Sequence, residues 1–204
     1  MDSKMKQSGS IVVVAGSMFA GKSEELIRRA RRALYAKRKV QVFKPSIDKR
    51  YDECMVVTHM GVRHEAVPVE DVRELRVMIE RDVDMVLIEE VQFFDASIVE
   101  LVTELADSGI HVIVAGLDQD FRRKPFGPMP QLMAIADEVV KLHAICMNCG
   151  ALATHTYRMI DGKPAHINDP IILIGATESY EARCRSCHQL KGEKRKKWTR
   201  QKPT

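Results

Sequence analysis

Apolar and polar positions along this chain change their period several times. Ile11 to Ala15 is a short apolar run bounded by turn residues, which predicts a buried strand. From Lys22 the pattern turns helical: Leu26, Ile27, Ala30, Ala33 and Leu34 recur on one face, while Arg28, Arg29, Arg31 and Arg32 fill the other. Val40 to Phe43 predicts a second strand, Val69 to Glu80 a helix, Met85 to Ile88 a third strand, Ala96 to Ala106 another helix, and Ile110 to Ala115 a fourth strand. Strands alternating with helices predict a parallel sheet with helices on both faces, and a ligand site beyond the carboxyl ends of its strands. After Val139 and Val140 the pattern gives way to closely spaced Cys, Gly and short polar segments, as in a fold held by a metal. A boundary is therefore placed near Leu142.

With 204 residues the chain holds one α/β core and a small module, too little for two nucleotide-binding domains. The expected layout is a flexible N-terminus over 1–10, a main α/β domain over 11–142, a small cysteine-bearing module over 143–190, and a disordered basic tail over 191–204. Hydrophobic residues make up 45% and charged residues 29%, an ordinary globular balance. No stretch approaches the roughly 18 apolar residues that span a bilayer, and the polar start lacks a signal peptide's apolar core, so the reading is cytoplasmic with no membrane partner. Of the net +4, the last fourteen residues supply seven Lys or Arg against one Glu, which leaves the body at −2 and without the basic footprint that nucleic-acid binding favours.

Gly16 to Ser23 reads GSMFAGKS and satisfies GxxxxGK[ST] between a predicted strand and a predicted helix. Glycines let successive backbone N–H groups face phosphate oxygens, and the helix N-terminus adds partial positive charge. Gly16, Ser17, Met18, Phe19, Ala20 and Gly21 form this cradle, Lys22 reaches the β- and γ-phosphates of ATP, and Ser23 offers its hydroxyl to Mg²⁺. Downstream, the strand Met85 to Ile88 ends in Glu89 and Glu90, one carboxylate expected near Mg²⁺ and the other as general base. Cys146, Cys149, Cys184 and Cys187 form two CxxC pairs, a set suited to closed tetrahedral zinc; His188, next to the second pair, is expected at the surface, and Cys54 as a small apolar filler.

The stretches GSMFAGKSEELIRRARR, EEVQFF, GLDQDFRRKPFGPMP, the two CxxC pairs and YEARCRSCH together resemble the type II thymidine kinase family from about Ile11 to His188. The resemblance implies a RecA-like P-loop domain, a small zinc-ribbon-like domain with a lasso loop over the base, and commonly a homotetramer. It implies transfer of phosphate from ATP to the 5′-hydroxyl of thymidine, in nucleotide salvage for DNA synthesis, with feedback inhibition by thymidine triphosphate. By position, Glu90 matches the family's catalytic glutamate, Asp48 and Arg50 its segment near the phosphates, and Val91 and Gln92 fall on the ATP side of EEVQFF. Phe93, Leu117, Phe121 and Phe126 match positions around the nucleoside, and Thr156, Ile171, Leu173, Gly175 and Tyr180 the base-holding stretch. Zinc would then anchor both feet of that loop. Two positions depart from the pattern: Glu89 stands where the family usually has Asp, moving the carboxylate on the order of 1.5 Å, and Ala20 replaces a frequent Ser.

Arg122, in Arg122-Arg123-Lys124, is a candidate for phosphate contact, with a solvated loop as the competing reading. Two rival functions compete with this reading. EEVQ also resembles the DExQ signature of nucleic-acid-stimulated ATPases, but those need two RecA-like lobes. A nucleotide-binding zinc adaptor would have no use for Lys22, Ser23 and Glu90 together. Discrimination by one methyl group is worth only about 1–3 kcal/mol, so some breadth toward deoxyuridine is expected.

Overall fold

The computed structural model describes residues 8–46, 55–57, 63–171 and 178–194. In chain order the first half runs β1 (Ser10–Ala15), α1 (Lys22–Tyr35), β2 (Val40–Pro45), β3 (Met55–Val57), β4 (Arg63–Glu65), β5 (Val67–Val69), α2 (Val72–Met78) and β6 (Met85–Ile88). A short 3-10 helix (Val91–Phe93) precedes α3 (Ser97–Asp107), β7 (His111–Gly116), α4 (Met129–Ile135) and β8 (Glu138–Lys141). The remainder is β9 (Ala144–Ile145), β10 (Leu152–Ala153), β11 (His155–Ile160), β12 (Lys163–Pro164) and β13 (Glu178–Arg183).

The apolar runs assemble into a six-stranded sheet in the order β5-β2-β6-β7-β1-β8. All five pairings are parallel, as strand–helix alternation requires. Because side chains alternate across a strand, β1 divides its residues between two cores. Val12 and Val14 pack with Leu26, Ile27 and Ala30 of α1 and with Leu87 and Ile113. Ile11, Val13 and Ala15 face Leu75 of α2, Ile98, Leu101 and Val102 of α3, and Met129 and Leu132 of α4. Each buried Val, Leu, Ile or Met side chain among them contributes roughly 1.5–3 kcal/mol. The arginine face of α1 is partly neutralised: Arg28 and Arg29 pair with Glu25, and Arg29 also ties to Glu138 of β8 at 2.9 Å.

Parallel register lines up the carboxyl ends of β1, β6 and β7 along one edge, with Ala15 beside Gly116 and Ile88 beside Val114. The P-loop, the Glu89-Glu90 pair and Leu117 all leave from that edge. Leu142 N still donates to Ala15 O at 2.8 Å, and beyond it the chain forms two small antiparallel sheets, β10-β9 and β12-β11-β13.

Several expectations change. The helix predicted over Val69 to Glu80 is shorter, because Val67–Val69 adds to the edge of the sheet and Asp71 caps α2, accepting from Arg73 N and Glu74 N. Strand β1 begins at Ser10, whose Oγ meets His111 Nδ1 at 2.8 Å, so the folded body includes part of the expected flexible N-terminus. The expected basic tail also starts too early. Leu190 is buried beside Phe121 and Tyr157, Lys191 exchanges backbone hydrogen bonds with Ala165 and Ile167, and Glu193 pairs with Arg123. Among the described residues no helix is long and apolar enough to cross a membrane.

Candidate functional site

Gly16 follows β1 directly, and a Cβ there would lie 2.7 Å from Leu142 O, closer than real side chains come. Gly21 takes the left-handed conformation (φ 83, ψ 23) that opens α1 and leaves its first amide groups facing the loop. Inside the curl, buried Lys22 donates from Nζ to Ser17 O at 3.0 Å. Met18 N donates to Thr156 Oγ1 at 3.0 Å, so a residue of β11, assigned in sequence to the base-holding stretch, touches the phosphate loop itself.

Ser23 Oγ donates to Glu89 Oε1 at 2.6 Å, and Glu89 is only 5% exposed. Motifs 66 positions apart thus meet at hydrogen-bond distance. A hydroxyl beside a buried carboxylate is an all-oxygen donor set, which fits the preference of Mg²⁺. The extra methylene of Glu89, at a position where the resembling family usually has Asp, still lets its carboxylate meet Ser23.

Glu90 leaves β6 with φ 49 and ψ 39, a left-handed conformation that costs a non-glycine residue on the order of 1 kcal/mol. Its carboxylate Oε2 accepts a short hydrogen bond from Gln92 Nε2. Gln92 is buried rather than open to a nucleotide, and its Oε1 accepts from Leu117 N at 3.0 Å. Two glycines make room for it: a Cβ on Gly116 would lie 2.6 Å from Gln92 Oε1, and one on Gly127 would lie 2.3 Å from Gln92 O. Val91 is buried in the core beneath. Sequence reasoning missed this clamp, because nothing in EEVQFF says which way the glutamine turns.

Phe93 and Phe126 meet edge to face with centroids 5.7 Å apart, and Leu117 is buried alongside the turn between β7 and α4. Phe121 is buried in a separate small cluster with Tyr157, Ala165 and Leu190. Ile171 is exposed, and Tyr180 lies opposite Arg158 in the β11–β13 pairing. Asp48, Arg50, Cys54, Leu173 and Gly175 lie outside the described residues. The basic run is an ordered turn with Lys124 exposed. Buried Asp120 organises it, accepting from Arg122 N and Lys124 N at 2.8 and 2.9 Å and from Arg122 Nε at 3.0 Å. Across the same edge, Lys141 pairs with Asp118 at 2.8 Å.

His188, expected at the surface, is fully buried, and its Nε2 sits 2.9 Å from Phe121 O and 3.2 Å from Thr156 O. Two carbonyl acceptors require the proton on Nε2, so the ring clamps the turn at Phe121 to β11. Burial, with the charge of Arg123 nearby, pushes its pKa below the usual histidine range. His155 bonds through Nδ1 to Gln119 Oε1 at 2.9 Å; burial, then the positive charges of His188, Arg185 and Arg123, push it down to about 4.

The four Sγ atoms of Cys146, Cys149, Cys184 and Cys187 lie within 4.8 Å of one another, with Cys149 and Cys184 at 3.7 Å. Tetrahedral zinc with bonds of about 2.3 Å sets sulfurs about 3.8 Å apart, so the donors and their spacing fit. The first pair turns between β9 and β10, helped by Gly150 at φ 75, and the second follows β13 directly. Asn148 Nδ2 donates to Cys187 Sγ at 3.2 Å, a bond across the two turns.

A sequence profile described as "Thymidine kinase" matches residues 9–188. Among solved structures, domain III of the Thermotoga maritima replication initiation protein DnaA aligns at 17% identity and TM-score 0.43, covering 68% of this chain and 56% of that one. The Legionella pneumophila ATPase DotB aligns at 20% identity and TM-score 0.39, covering 63% and 34%. This chain therefore spans about half or less of the length of these two structures.

Proposed function

This chain belongs to the thymidine kinase family, and on that premise we propose that it transfers the γ-phosphoryl group of ATP to the 5′-hydroxyl of thymidine. The observation that carries the reading is the meeting of Ser23 and Glu89 at 2.6 Å beside the strand end that presents Glu90. It supports a P-loop that does chemistry rather than one that only holds nucleotide.

In this mechanism the amides of the P-loop cradle the phosphates, and Lys22 turns from Ser17 O to the β- and γ-phosphates when ATP enters. Ser23 and Glu89 would hold Mg²⁺, which supplies charge neutralisation on the phosphate oxygens. Glu90 takes the proton of the 5′-hydroxyl as that oxygen attacks phosphorus in line, and Gln92 holds the accepting carboxylate in place. The base would lie among Leu117, Phe126, Phe93 and Ile171, and the family resemblance assigns Asp48 and Arg50 to the phosphates. The four-cysteine site would hold structural zinc, fastening the β11–β13 ribbon that carries the base-holding stretch. Regulation by thymidine triphosphate, assembly as a homotetramer, a cytoplasmic location and a place in nucleotide salvage follow the family and belong to the proposal.

The test is transfer of labelled γ-phosphate from Mg·ATP to thymidine, run beside other nucleosides and single-stranded DNA. Thymidine monophosphate should form selectively, and Glu90→Gln should lower turnover by about 10² to 10⁴-fold. No nucleoside product, together with DNA-stimulated hydrolysis, would overturn the kinase reading in favour of an ATPase.

A further inference from the structure

Arg158, in the middle of β11, is 0% exposed and is the largest fully buried side chain among the described residues. A guanidinium removed from water costs several kcal/mol unless its N–H groups are met, so a strand that needed only bulk here would carry Met or Leu. Its Nη1 donates to Pro170 O at 2.5 Å and lies 3.3 Å from Ile171 O. Its carbon Cζ stands 5.0 Å from the centroid of the Phe121 ring. Its backbone oxygen accepts from Ala165 N at 3.0 Å, fixing the start of the same excursion.

The turn that delivers those carbonyls closes on itself. Asp169 Oδ2 accepts from His166 N at 2.7 Å, and Asp169 N donates to His166 O at 3.0 Å. Arg158 therefore joins a self-contained turn to the ribbon and to the aromatic ring on its other side. The shape of the group matters: a planar guanidinium can lie against a ring while its edge binds carbonyls, which an ammonium cannot do in one position.

We propose that Arg158 is a positioning residue that sets the wall of the nucleoside site, fixing the Pro170–Ile171 backbone relative to Phe121 and so helping to select the base. This rests on the thymidine kinase reading above. The residue touches neither substrate nor reacting atoms; it acts through the wall it holds.

The experiment uses the full zinc-loaded chain with Arg158→Lys and Arg158→Met. Hydrogen bonds from a charged donor predict that KM for thymidine rises roughly 10- to 100-fold in Arg158→Met and less in Arg158→Lys, while KM for ATP changes by less than about 3-fold. The kcat/KM ratio of thymidine to deoxyuridine should fall toward one. A residue that only supported folding would reduce active protein and kcat, leaving KM and that ratio alone. Amide exchange without ligand supplies a second readout: residues 163–171 should lose protection in both variants while β1 and β7 keep theirs. Should Arg158→Met fail to fold, Arg158→Lys carries the test. Unchanged thymidine KM and unchanged base ratio in folded Arg158→Lys overturn the proposal. If the wild-type chain phosphorylates no thymidine, the functional reading fails instead, and unchanged protection of 163–171 then overturns the role of Arg158 as well.

Discussion

Replacing Gln92 by Leu removes two hydrogen bonds while keeping most of the side-chain volume. Leu117 N loses its acceptor in a buried position, which costs about 1–3 kcal/mol, and the Glu90 carboxylate loses a charged bond worth about 1.5–3 kcal/mol, part of which water recovers because Glu90 is only partly buried. The expected loss is about 2–4 kcal/mol of folding free energy, read from urea unfolding as a lower midpoint at constant slope. Turnover should fall by about 10- to 100-fold, since the proposed general base, no longer held in place, spends less time aligned. The informative control is the double variant with Glu90→Ala. If Gln92 acts through Glu90, adding Gln92→Leu to Glu90→Ala costs nothing more in kcat, because both changes remove the same function. Multiplying rate losses, or normal kcat in a Gln92→Leu chain that is destabilised as expected, would show that the glutamine only packs.

Gly127→Ala should lower stability by about 2–4 kcal/mol and depress kcat, because φ +50 is strained for alanine and the new Cβ would lie 2.3 Å from Gln92 O; thermal unfolding and kinetics at wild-type fold check it, and a neutral substitution refutes it. Removing zinc with a chelator, or replacing Cys149 by Ala, should abolish one zinc per chain by metal analysis and expose 155–183 to protease while the ATP-binding half stays protected; a metal-free, active chain would count against the site. His155 sits at about 4 when folded against an ordinary value near 6.5. The unfolded chain thus binds the extra proton first, and stability falls as pH drops from about 6.5 toward 4, by about 1–3 kcal/mol. Urea unfolding of His155→Gln at pH 7.5 and pH 5, with equal zinc loading, should show a smaller drop than wild type; equal drops refute it.

Where one local pattern decided the outcome, the chain was legible. β6 occupies Met85–Ile88 as its apolar run predicts, and α1 begins at Lys22 because glycine and helix signals coincide there. The neighbouring Val69 to Glu80 stretch misled, since Val67-Pro68-Val69 looks too short for a strand until β2 lies beside it, and the cap at Asp71 marks the true start of α2. Helix α4 and strand β8 went unread because Pro128 and Pro130 break the helical pattern at its start and Glu138–Lys141 is a four-residue edge strand. In the site, Ser23 and Glu89 could be paired from their motifs. The clamp of Gln92, the burial of His188 and the buried guanidinium of Arg158 could not, because each depends on a backbone group delivered from elsewhere in the chain: the N–H of Leu117 for Gln92, and carbonyls of Phe121 and Pro170 for the other two.

The two cysteine pairs also set an order of assembly. All six strands of the large sheet are complete at Lys141, whereas the metal site needs Cys187. During synthesis the nucleotide-binding half can close while the ribbon is still being made, and a flexible stretch of this length resists having its ends brought together. The ribbon that the four cysteines would fasten is thus the part of the fold completed last along the chain.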